Sequence, residues 1–175
     1  GELSISEEIL KRVVESYRRI RNTLRFLLAN LTDFNPEKDS IPTDDCLEID
    51  RYMLALTVAL QENLTQSYQH YEFHQAVHQL HNFCSEDLGG FYLDILKDRL
   101  YTSATHGLPR RSAQTALYHI AHSLVRLFAP ILSFTAEETW EHLTGDTEGS
   151  VLLQLWHVFP QQYDVSELQQ RWQSI

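Results

Sequence analysis

Cysteine, glycine and proline are scarce in this sequence of 175 residues, and a surplus of positive charge is missing. The two cysteines, Cys46 and Cys84, form no CxxC pair, so neither a zinc site nor a disulfide framework is supported. They are expected as buried, reduced thiols. Six glycines and five prolines leave few breaks, which favours long helices, and no glycine-rich phosphate loop occurs. No apolar run approaches the roughly 20 residues of a membrane span, and no signal peptide is expected. No Ser-His-Asp or Cys-His arrangement has support from its spacing, so no catalytic residue is assigned. Fourteen Lys and Arg against 24 Asp and Glu give a net charge of −10, which discourages unspecific adhesion to nucleic acid. What is present is an ordinary globular content of 43% hydrophobic residues. A chain of this size buries roughly 70% of its unfolded surface, enough for one domain with a real core. The expected layout is a single domain over residues 1–175, with a core at about 6–143 and an extension at about 144–175.

One segment runs against the charge trend. From Lys11 to Arg25 there are six basic residues and one acid, Glu15, a surplus of +5, so the other residues sum to −15. At about 100° per residue, Ile9, Val13, Ile20, Leu24, Leu27 and Leu31 fall in one narrow apolar stripe. Arg18, Arg21 and Arg25 fall on the opposite side, with Lys11 and Asn22 close by. The arginine row is about 10 Å long at 1.5 Å rise per residue. Guanidinium forks match phosphate oxygens in two hydrogen bonds, so the row suits a short piece of nucleic-acid backbone. A solvated surface face and an acidic protein partner are the competing readings.

The rest of the chain reads as helices. Ser4 and Glu7 form a capping box opening a first helix to about Leu31; Thr32 to Asp45 is a loop with Pro36 and Pro42 as breakers. A second helix, capped by Asp45 and Glu48, covers about Cys46 to Tyr68. A third, cored by Phe73, Val77, Leu80 and Cys84, stops near Gly89 and Gly90, and Phe91 to Tyr101 is a further short helix. Another runs from near Arg111 to Ala129, with Ala116, Leu117, Ile120, Leu124, Leu127 and Phe128 inward. Pro130 interrupts it. Thr135 and Glu138 cap a short helix to about Leu143, Ser150 to Phe159 is extended, and Val165 to Gln173 is a last short helix. The fold class is all-α, an antiparallel helical bundle with one short extended segment near the C-terminus.

Four histidines, His70, His74, His78 and His81, stand at helical spacing, but without the glutamate of an H-E-x-x-H site. They read as residues at a polar margin, with no metal assigned. Asp94, Lys97, Asp98, Arg99 and Tyr101 make a dense polar set read as an interhelical salt-bridge network. Arg110 and Arg111 open a helix, where cations oppose the macrodipole, so they serve either phosphate or neighbouring acids. Tyr17, Phe26, Tyr101 and Trp140 are aromatic enough to stack on a splayed base, although core positions are commoner.

Several stretches occur in a familiar order: Tyr17–Leu31 followed by Asp33 and Phe34, then LEIDRYML at 47–54, DLGGFYLDILKDRLY at 87–101, AQTALY at 113–118 and APILSFTAEETW at 129–140. Over roughly Ser6 to Trp156 the chain resembles the anticodon-binding helical domain of the isoleucyl-tRNA synthetases, class I aminoacyl-tRNA synthetases of the cytoplasm. The resemblance implies binding of the tRNA(Ile) anticodon stem-loop in support of aminoacylation with isoleucine. It implies Arg18, Arg21, Asn22 and Arg25 as RNA contacts, with Lys97, Arg99, Arg110 and Arg111 as further ones. The HIGH and KMSKS motifs of the catalytic domain are absent. The resemblance therefore implies that this stretch is no enzyme on its own. ATP, magnesium and isoleucine would belong to a catalytic domain before Gly1, an editing domain would also precede it, and a structural zinc module would follow Ile175. The expected partners are the stem-loop and the remaining domains of the same chain, Trp156 packing against a following segment. The alternative is a helical protein-interaction module with a basic docking face.

Overall fold

A computed structural model describes residues 2–138. Eight helical pieces follow one another: α1 (Glu2–Ala29), a one-turn α2 (Pro36–Asp39), a 3₁₀ turn (Thr43–Asp45), α3 (Glu48–Gln69), α4 (Phe73–Asn82), a π-helical segment (Phe83–Tyr92), α5 (Leu93–Thr102) and α6 (Leu108–Glu138). No strand occurs among the described residues; Ser150–Phe159 and Val165–Gln173 lie outside them.

The apolar stripe of α1 is the reason the helix lies where it does. Ile20 and Leu27 are fully buried, Leu24 and Leu31 nearly so, and Tyr17 completes the row. Each such side chain contributes about 1.5–3 kcal/mol on burial. The helix unwinds at Asn30, whose amide turns back to the Phe26 carbonyl at 2.9 Å. Asn35 then caps α2, accepting from the Glu37 and Lys38 backbone N–H groups, with Pro36 in the first turn, where its missing N–H costs nothing.

α6 is the axis of the bundle. It packs against α1, α2, α3, α4 and α5, and every residue from Arg111 to Val125 is buried. The six positions expected inward on this helix are all buried. It does not end at Pro130: it continues unbroken to Glu138, through the Thr135 position expected to start a new helix. Proline removes one donor from this turn and crowds it. The hydroxyl of Tyr68 donates to the Leu127 carbonyl, and that of Tyr17 to the Ile131 carbonyl at 3.4 Å, so outside donors serve the disturbed turn.

Gly89 and Gly90 do not break the third helix either. α4, the π segment and α5 run on as one rod, with helical dihedrals at both junctions. The wider π turn brings the Cys84 carbonyl oxygen to 2.9 Å from where a Cβ on Gly89 would lie, closer than a real side chain tolerates. Glycine is needed there because the backbone approaches itself.

α3 begins at Glu48, two residues after the expected start, and its cap is not Asp45. Leu47 occupies the cap position and makes no side-chain cap bond. Its N–H donates to Ser112 Oγ at 2.8 Å, so the cap comes from α6. The same hydroxyl donates to Asp50 Oδ2 at 2.5 Å. Asp50 is fully buried and also accepts from Tyr92 Oη at 2.5 Å and from both Arg99 nitrogens at 2.6 and 3.0 Å. One carboxylate in the first turn of α3 thus ties together α3, the π segment, α5 and α6, where the helix dipole also favours its charge. The 47–54 and 87–101 stretches meet at this point.

Candidate nucleic-acid interface

The face of α1 opposite the core carries the basic row. Lys11, Arg18, Asn22 and Arg25 are exposed and Arg21 is half-buried. The guanidinium of Arg21 donates through Nε and Nη2 to Asn22 Oδ1, both at 3.3 Å, which orients the fork along the helix surface. Arg25 stands at the end of the row. It lines an open groove of about 910 Å³ between α1 and the segment that follows it, with Leu28, Thr32, Phe34, Asn35 and Glu37 among the other lining residues.

The other basic residues are placed differently. Lys97 is exposed and lies 3.8 Å from Asp94, both side chains more than half exposed. Such a surface pair contributes at most about 1 kcal/mol and leaves the ammonium accessible. Arg99 is committed to Asp50, with only 13% of its side chain exposed, so the interhelical ion pair expected around it has Asp50 of α3 as its acid. Arg110 grips both oxygens of Asp33, at 3.1 and 2.9 Å, and donates to the Leu100 carbonyl at 2.6 Å. Arg111 is 6% exposed. It donates to the Asp33 carbonyl at 3.0 Å and to Gln114 Oε1 at 2.7 Å, and lies 3.6 Å from Asp39. Burial pushes the Asp33 carboxyl up, but the hydrogen bonds of Arg110 and Gln114 and the Arg110 charge together hold it below its ordinary range. Of the two uses open to Arg110 and Arg111, the structure engages both with neighbouring acids.

Of the aromatics able to stack, Tyr17 is buried edge-on against Phe128 with centroids 5.2 Å apart. Burial drives its hydroxyl pKa well above the ordinary tyrosine range. Phe26 is half-buried, Tyr101 is 86% exposed at the end of α5, and Trp140 lies outside the described residues. Sequence reasoning passed over Asp50 and Asp33, the acceptors that fix Arg99 and Arg110, over Ser112, whose hydroxyl donates to Asp50, and over the exposed Tyr52 and Phe91, in edge contact at 6.5 Å. Asp50 carried one signal: it is an acid one turn before Met53 and Leu54 on the same helical face.

The histidine run is spread along the bundle margin. His70 Nδ1 pairs with the Gln66 carbonyl, His78 with Asn82 and His81 with Ser85. Among the described residues no three His, Cys, Asp or Glu side chains come together as a metal set. Both cysteines are free and buried. Burial pushes the Cys84 thiol up to about 12, which keeps it protonated and unreactive. No helix among the described residues is long and apolar enough to cross a membrane.

The family described as "Anticodon-binding domain of tRNA ligase" matches residues 50–175. The isoleucine–tRNA ligase of Nitrosomonas europaea is 67% identical over 179 residues, covering all of this chain and 19% of that protein. Those of Thiobacillus denitrificans and Dechloromonas aromatica are 62% and 59% identical, again over the whole chain and 19% of each relative. The chain thus spans about a fifth of the length of these relatives. The chain, all-α among its described residues and matched from residue 50 onward, belongs to the anticodon-binding domain family of tRNA ligases.

Proposed function

We propose that the chain binds the anticodon stem-loop of tRNA(Ile) through the outer face of α1, as one domain of a cytoplasmic isoleucine–tRNA ligase. The observation that carries this reading is the outward-facing row of Arg18, Arg21 and Arg25 on a protein that is otherwise strongly acidic. Phosphates are drawn to the row and repelled elsewhere, so the backbone is held in one register while bases are read beside it. Arg18, Arg21, Asn22 and Arg25 form the contact face, and Lys97 is an accessible outlying cation. Arg99, Arg110 and Arg111 support it by holding α5, α6 and the Asp33 turn in place. Binding so far from the chemistry supplies orientation for the acceptor end of the tRNA.

ATP and magnesium belong to the remainder of such a ligase, as does a structural zinc. The described residues offer no fitting metal set, and no part of the binding step passes through these groups. The exposed Tyr52, Phe91 and Ile95 favour a second contact, with another domain of the same polypeptide.

The experiment is fluorescence anisotropy with a labelled anticodon hairpin and the Arg21→Ala, Arg25→Ala pair. Loss of two phosphate contacts should weaken binding and lower the salt slope by about 1.4–1.8. An unchanged slope would remove this face from the reading. A basic face that binds an acidic protein and is not displaced by RNA would favour the protein-interaction alternative.

A further inference from the structure

We propose that the face shared by α3, the π segment and α5 docks a cationic amphipathic segment from another domain of the same polypeptide. The proposal rests on the domain contact read above and adds the chemistry of the partner: aliphatic at its centre, flanked by lysine or arginine. Tyr52, Phe91 and Ile95 are 52%, 43% and 41% exposed, and the two rings meet edge to face. Phe91, Asp94, Ile95 and Asp98 stand at i, i+3, i+4 and i+7 along the continuous rod. All four are exposed, so they share its outer side. Glu48 is exposed one turn before Tyr52 on α3, and Glu86 one turn before Phe91. An apolar centre of two rings and one aliphatic chain is thus rimmed by carboxylates.

Among the described residues Glu48, Glu86 and Asp98 form no ion pair. Asp94 faces Lys97 at 3.8 Å, with both side chains more than half exposed. Burial and the Glu86 charge push the Asp87 carboxyl above its ordinary range, with no cation to offset either. Such a rim repels phosphate, which leaves RNA to the basic row of α1. A protein segment with cations at its edges and aliphatic side chains between them matches the face in both respects. Its lysine or arginine also gains the ring faces of Tyr52 and Phe91. Area and length identify the source. Three side chains about half exposed fall far short of the roughly 1,200 Å² that a stable complex formed from solution buries, so a second copy is not held. A tether raises the effective concentration of a weak partner to the order of millimolar. The chain spans 19% of the relatives' length, so most of such a ligase is available as that tethered partner.

The test uses the complete ligase polypeptide with photoreactive p-benzoylphenylalanine in place of Phe91, irradiated with and without tRNA and digested for mass spectrometry. The expected link joins position 91 to a peptide outside residues 1–175 that carries lysine or arginine beside aliphatic residues. Dilution should leave the yield unchanged, because the contact lies within one polypeptide. Asp94→Lys together with Asp98→Lys should cut the yield about tenfold, since like charges then meet. Both positions are exposed, so an unchanged thermal melt is the control for folding. No link, a link confined to residues 1–175, a link to a second molecule or to tRNA, or a yield indifferent to the charge reversal would overturn the proposal. Binding of a labelled anticodon hairpin by the same proteins separates it from the RNA-binding reading. Retained binding with no link beyond residues 1–175 would overturn the docking face alone. A link of the expected kind in a polypeptide that binds no hairpin at low salt would uphold the docking face and overturn the reading of α1.

Discussion

Asparagine in place of Asp50 should be among the most damaging single-atom changes available to this bundle. The carboxylate is fully buried and accepts four hydrogen bonds, two of them from one guanidinium. The amide removes the charge, replaces one acceptor with a donor, and faces that donor toward Tyr92, Ser112 or Arg99. Arg99 then keeps its charge at 13% side-chain exposure, with one amide oxygen and the Pro109 carbonyl at 3.3 Å as its neutral acceptors. Breaking a buried pair from one side costs about 3–5 kcal/mol. Because Arg99 is not wholly desolvated, about 3 kcal/mol is the expected loss, against a typical total of roughly 5–15 kcal/mol. Arg99→Met should cost a similar amount, since it leaves the carboxylate buried with only two hydroxyl donors. The double variant removes both charges, and its loss should fall short of the sum of the singles by about 2–3 kcal/mol. Urea unfolding of the four proteins, followed by circular dichroism, measures the cycle. Additive losses, or an Asp50→Asn cost below about 1 kcal/mol, would refute the view that this pair fastens α3 to α5.

Three further outcomes follow from local geometry. Gly89→Ala places a methyl 2.9 Å from the Cys84 carbonyl oxygen and should cost about 1–3 kcal/mol, whereas Gly90→Ala, with its nearest atom at 3.4 Å, should be neutral or stabilising; equal effects in thermal melts would deny the π turn. Tyr71 closes α3 with φ 56°, the left-handed region, and is 83% exposed, so Tyr71→Gly should raise stability by about 1 kcal/mol; a fall would mean the ring is held by something. Burial beside His119 pulls the pKa of His122 from 6.5 down to about 3. The unfolded chain therefore takes up a proton below pH 6.5 that the folded chain refuses until about pH 3, so stability is lost as pH falls through that window. The loss should be about 2 kcal/mol between pH 7 and 5, and His122→Leu should abolish most of it; a variant with the same pH dependence as the parent would exclude this histidine as the cause.

Residues close in sequence were readable, and residues that depend on distant partners were not. The burial of Ile20, Leu24, Leu27 and Leu31 follows from helical periodicity, which needs no knowledge of the rest of the chain. The basic row of α1 is local in the same sense. Arg99, Arg110 and Arg111 are not, because Asp50, Asp33 and Asp39, the acids they meet, lie 49, 77 and 72 positions away. Nothing in a local window distinguishes such an arginine from one that faces solvent. The two misread breaks share one cause. Glycine and proline weaken an isolated helix, but a rod buried among other helices is held by packing, and side-chain hydroxyls or a wider turn take up the strain. The groove beside Arg25 exists only once the turn after α1 has folded back as α2, which the loop assignment for Thr32–Asp45 did not contain.

The most direct measurement of the central claim is the affinity of the chain for a labelled isoleucine-tRNA anticodon hairpin, set against one with a changed anticodon, across a series of salt concentrations. Tighter binding to the cognate hairpin, weakening linearly on logarithmic axes as salt rises, is the predicted result. Absence of binding to either hairpin at low salt would contradict it.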